Sequence, residues 1–207
     1  MEKVLLIITL ALSMLSTAQN NFEQGMQQAF SLWGENKNSE AAALFDRIAQ
    51  VEKDSWLPGY YAALVNTTTA FSTQDTQKVT ELLTQAQKSL DEVLLTHENN
   101  AEILVMQAMI HTAWVAHDPM THAQKLSPVI LALYVQAEQM EPQNPRVVSS
   151  KAQFDLGSAQ YFGADTTSIC ERLKNSLELF DNFKPETPFH PNWGKEYTEQ
   201  EIARNCK

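Results

Sequence analysis

TQKVTELLTQAQKSLDEVLLTHENN, residues Thr76–Asn100, reads as one amphipathic helix followed by its stop. Val79, Leu82, Leu83, Ala86, Leu90, Val93 and Leu94 fall on one face at helical spacing, and Lys78, Glu81, Gln85, Lys88, Asp91 and Glu92 fill the rest. Asp75 or Thr73 is placed to cap the start, and His97-Glu98-Asn99-Asn100 to end it. Working outward, three more half-apolar helices are expected. Leu44, Ile48 and Val51 mark one that starts near the capping candidates Asn38 and Ser39. Ile130, Leu133, Tyr134 and Ala137 mark another, with Pro128 in its first turn and Pro142 and Pro145 beyond its end. Ile169, Leu173, Leu177 and Phe180 mark the last, closed before Pro185.

Between them lie segments that are apolar nearly all round: Tyr60–Phe71, Ile103–Val115 and, more weakly, Val147–Phe162. Helices of that composition are buried on more than one side. The chain therefore alternates an inner helix with an outer one. Turn signals at Leu57-Pro58-Gly59, Glu98-Asn99-Asn100 and Glu141-Pro142-Gln143-Asn144-Pro145 separate the pairs. From Pro58 to Ala101 is 43 positions and from Ala101 to Pro145 is 44. A near-constant step of helix, turn, helix, turn predicts an all-α solenoid. A shorter first pair spans Phe22 to Val51.

Tyr134-Val135-Gln136-Ala137-Glu138-Gln139-Met140-Glu141-Pro142-Gln143-Asn144-Pro145 resembles the end of a tetratricopeptide repeat, where an aromatic, an Ala and a Pro close the second helix. Ala41, Phe45 and Ile48 are similar to the matching face of an earlier repeat. The step is longer than the ~34 residues of that family. The resemblance implies a right-handed α-solenoid of about four helical hairpins, over residues 19–184. The remainder, 185–207, carries the aromatic, turn-rich Phe189-His190-Pro191-Asn192-Trp193-Gly194-Lys195 and a short helix over Tyr197–Asn205. It resembles the endings of small exported repeat proteins of Bacteroidetes type, and is expected to cap the open end of the solenoid. On a solenoid the inner helices make a concave surface that binds extended ligands. Tyr61, Gln107, His111, Trp114 and Gln153 are the candidate groove residues.

Met1-Glu2-Lys3, the apolar Val4–Leu15 and the small residues Ser16-Thr17-Ala18 read as a secretory signal peptide, residues 1–18. Its apolar run is short for a bilayer span, which needs ~20 residues. Export makes the two cysteines, Cys170 and Cys206, a candidate disulfide. The net charge of −10 repels phosphate backbones and anionic lipid, which argues against nucleic-acid partners and a basic membrane-binding patch. No Gly-x-Ser-x-Gly elbow and no glycine-rich phosphate loop occurs. His111, His117 and His122 are six and five residues apart, not the three or four that puts two ligands on one helix face, and Asp118-Pro119 interrupts them. The expected function is a non-catalytic exported binding or scaffolding protein, periplasmic or secreted. It has a peptide or protein partner, no cofactor, no membrane insertion after signal cleavage, and a homo-oligomer as one possible assembly. The alternative is a small metal-binding protein or hydrolase using the His111–His122 segment.

Overall fold

The computed structural model describes residues 21–206. The expected signal peptide lies outside the described residues. Every regular element among them is an α-helix: α1 (21–34), α2 (Asn38–Val51), α3 (Leu57–Phe71), α4 (Thr76–Leu94), α5 (Ala101–His117), α6 (Pro119–Met140), α7 (Pro145–Phe162), α8 (Thr167–Asn182) and α9 (Lys195–Asn205). None of the described helices is long and apolar enough to cross a membrane.

Consecutive helices pair as hairpins. α3 packs on α4, α5 on α6 and α7 on α8, while α3, α5 and α7 also lie side by side. This is the inner and outer alternation expected from the periodicity. α3 buries twelve of its fifteen residues, from Leu57 to Thr67 without a break and then Ala70. α4 buries a stripe instead: Val79, Leu82, Leu83, Ala86, Ser89, Leu90 and Val93. The starts are written in short polar side chains. The carboxylate of Asp75 accepts from Lys78 N–H, and the amide oxygens of Asn100 and Asn144 accept from Glu102 and Arg146 N–H.

Two starts differ from expectation. α6 begins at Pro119, so Pro128 sits inside a helix of 22 residues rather than in its first turn. Asp118, whose carboxylate accepts from Thr121 N–H, followed by proline, is the stronger start signal. Pro128 is exposed, so water can serve the carbonyl left without its helical donor. At α2, Lys37 holds the cap position, and the Asn38 amide instead donates to Thr69 Oγ1 at 2.9 Å on α3. A tertiary partner has taken the expected cap.

Close helix contact explains one glycine. A Cβ on Gly59 would stand 2.5 Å from Val93 Cγ2 and 3.3 Å from the Ser89 carbonyl oxygen on α4. Gly59→Ala is expected to lower unfolding stability by about 1–3 kcal/mol despite alanine's better helix propensity, because the crowded wall includes backbone. Urea unfolding of the variant checks this. A variant as stable as the parent would mean that α3 and α4 separate readily.

The end of the chain does more than cap. α9 packs on α7 and α8, and Cys170 and Cys206 are set in disulfide geometry with their Cα atoms 5.4 Å apart. The segment 183–194 between α8 and α9 does not stay at that end. It runs back along the inner helices as far as α1, where Phe189 meets Phe22 and Phe30 at ring distances of 5.9 and 6.1 Å.

Candidate functional site

The inner helices carry one polar side chain each at matching places in successive repeats. Tyr60, Glu102 and Arg146 stand 42 and 44 residues apart, in the first turns of α3, α5 and α7. They form a buried ladder. Arg146 Nε donates to Glu102 Oε1 at 2.7 Å, Asn144 Nδ2 donates to the same oxygen at 2.7 Å, and Tyr60 O–H reaches Oε2 at 3.5 Å. Arg146 Nη2 lies 2.6 Å from Oε1 as a charge contact off the hydrogen-bond direction, and Nη1 makes no hydrogen bond. The side chains are 0% and 2% exposed, so the two charges depend on each other.

Segment 183–194 closes over this ladder. Trp193 Nε1–H donates to Tyr60 Oη at 2.9 Å, and the Phe183 ring lies 4.3 Å from the Arg146 guanidinium carbon. Tyr61 O–H donates to the Phe189 carbonyl at 2.9 Å, and His190 rests edge-on to Trp56. Burial pushes the Tyr60 and Tyr61 phenols above their ordinary range, so both stay protonated. The half of the inner face at the helix starts is thus sealed by the chain's own loop.

The same face continues past the loop. At about 100° per residue, a residue eleven further on returns within about 20° of its start, and one fifteen further on within about 60°. Phe71, Ala113 and Gly157 stand eleven residues after Tyr60, Glu102 and Arg146, and His117 and Tyr161 stand fifteen after the last two. Phe71 is 47% and Tyr161 75% exposed, and nothing lies within 4 Å of a Cβ built on Gly157. Ala113 is buried against Ala70, Val79, Leu82 and Leu83, so the exposed positions of this strip are Phe71, Gly157 and Tyr161, with a half-buried His117 on α5 at the place equivalent to Tyr161 on α7.

The sequence candidates for the groove are divided between two surfaces. Tyr61 is on the inner face but beneath the loop. Gln153 donates to Thr198 Oγ1 at 3.1 Å and is engaged by α9. Gln107, His111 and Trp114 lie between a third and half a turn around α5 from Glu102. They face the outer helices: Gln107 exchanges hydrogen bonds with Gln87 of α4 at 2.8 Å and meets His111 Nε2 at 3.1 Å, while the Trp114 ring lies tilted against His122 of α6 at 5.2 Å. Burial lowers the His111 pKa, which favours the neutral ring. Among the described residues no group of three His, Cys, Asp or Glu side chains is placed to hold a metal ion. His122 lies in the first turn of α6.

An open cleft of about 550 Å³ is on another surface. It runs along α8 between Gln143, Val148, Arg172 and Asn182. Its lining mixes polar and apolar groups, and Arg172 is already paired with Glu138 of α6. It shares no lining residue with the inner face.

Whether the tail caps the end of the solenoid or blocks its concave face is open in the sequence, and the ladder is not foreseen there. The ladder's only signal was the repeat step itself, which aligns Glu102 and Arg146 behind matching Asn caps.

No family model matches the chain, and no curated protein does. Among solved structures, it is similar to the HusA haemophore from Porphyromonas gingivalis, at 22% identity and a TM-score of 0.76, over 89% of this chain and 92% of that one. At that identity the likeness establishes a shared helical fold along nearly the full length of both proteins.

Proposed function

We propose that this chain is a non-catalytic exported binding protein of haemophore type, carrying a flat tetrapyrrole on the inner face of its solenoid. The observation that carries the reading is the open strip beyond the loop. Its exposed members are Gly157, with open space above its backbone, and the aromatic Phe71 and Tyr161. A planar apolar ligand needs such a wall. His117 and Tyr161 are of the residue types that serve as axial ligands to haem iron, and they fall on the same face of α5 and α7. The solved haemophore of the same fold supports the choice of ligand. Export is supported by the Met1–Ala18 signal pattern and the cysteine pair.

A haemin titration followed in the Soret band tests this. The expected result is a shifted band saturating near one haemin per chain, and at least a tenfold loss of affinity in His117→Ala with Tyr161→Phe. An unshifted, non-saturating band would sink the reading.

A peptide-binding reading, as the tetratricopeptide resemblance implies, is favoured by one observation. The inner face already holds a loop of the chain itself, gripped through a carbonyl and aromatic side chains.

A further inference from the structure

The loop over the inner face is built differently from the helices beneath it. Its two ends are clamped together: Asp181 at the end of α8 pairs with Lys195 at the start of α9. Beyond that clamp, Cys170 and Cys206 tie α8 to the end of α9. The twelve residues 183–194 are therefore a compact loop whose ends stay fixed whatever its middle does. Gly194 closes it with φ +109°, a conformation that side-chain-bearing residues rarely adopt.

Its middle is held weakly. Among the described residues, backbone pairing within 184–193 amounts to one bond, His190 N–H to the Thr187 carbonyl at 3.1 Å. Residues 184–188 are exposed. The grip on the inner face comes from Phe189, His190, Pro191 and Trp193 and from two side-chain hydrogen bonds, Tyr61 to the Phe189 carbonyl and Trp193 to Tyr60. Segments with few backbone bonds open at a fraction of the global unfolding free energy. Lifting the loop leaves Glu102, Asn144 and Arg146 bonded to one another. It uncovers the Arg146 guanidinium, with Nη1 free to donate, together with the aromatic wall of Phe22, Phe30 and Trp56.

We propose that loop 183–194 is a tethered lid occupying half of the ligand groove, and that a planar aromatic ligand displaces it to reach the full inner face. The ligand class follows from what must be replaced: the aromatic and proline contacts of Phe189, Pro191 and Trp193. This rests on the binding reading above.

Hydrogen exchange on the full chain, with and without haemin as the probe, tests the lid directly. Haemin is expected to raise exchange of the His190 amide, the loop's one hydrogen-bonded N–H within 184–193, at least tenfold while the α3 and α5 amides keep their protection. Trp193→Ala, which unseats the loop, is expected to bind haemin about tenfold more tightly. Haemin binding to Trp193→Ala but not to the parent chain would support the lid still more strongly. Haemin binding with the His190 amide still as protected as in the free chain would overturn the lid and leave the binding reading standing. No binding to either protein would bring down both. Where the two arms differ, the exchange result decides, since it needs no substitution.

Discussion

Arg146→Ala is expected to destabilise the fold by about 3–5 kcal/mol, the largest effect of any single substitution considered for this chain. Glu102 is 2% exposed, and Arg146 is the cation that neutralises it. Removing the guanidinium leaves a carboxylate out of water with only Asn144 and Tyr60 as donors. The converse pair of changes separates charge from packing. Arg146→Met combined with Glu102→Leu removes both charges while keeping much of the volume, and should recover most of the loss. If Arg146→Ala alone cost under about 1 kcal/mol in denaturant unfolding, water would have to reach Glu102, and the loop could not seal the ladder. The ladder does not convert into a large net stabilisation, because Nη1 makes no hydrogen bond and burying both charges offsets much of their attraction. Its effect is positional. It joins α3, α5 and α7 at one level and sets the floor on which the loop lies.

Loss of the Cys170–Cys206 link is expected to rank second. The two residues are 36 positions apart, and closing a loop of that length restricts the unfolded chain by about 3–4 kcal/mol in the entropy model. The double Cys170→Ser, Cys206→Ser variant should show that drop in calorimetry. The damage should be local as well as global. α9 exposes Tyr197 and buries only Thr198, so it has little core of its own. Its amides should lose protection first, and the loop's fixed end with them. An unchanged melting profile under reducing conditions would contradict this.

The legible part of the fold was the part with one-sided periodicity. Val79 to Val93 is a single apolar stripe, and α4 buries that stripe. α5 is apolar nearly all round, so the pattern told that it is buried but not which side faces inward. Gln107, His111 and Trp114 share one face at helical spacing, yet that face meets α4 and α6. Glu102 and Arg146 were invisible one at a time, since single charges are seldom buried. They stand out only when successive repeats are aligned. The loop's reach from residue 189 to Tyr61, and from 193 to Tyr60, is a packing outcome across 128 and 133 positions. No local pattern carries that distance. His117 and Tyr161 likewise emerge only from the register between α5 and α7.

The central claim is that ligand sits on the inner face. An amide-resolved NMR spectrum of the protein with haemin tests it most directly, because ferric iron broadens nearby resonances. The account predicts broadening around Phe71, His117, Gly157 and Tyr161, spreading to 183–194 as the lid lifts. Broadening confined to α8, around Arg172 and Asn182, would place the ligand in the outer cleft and contradict the account.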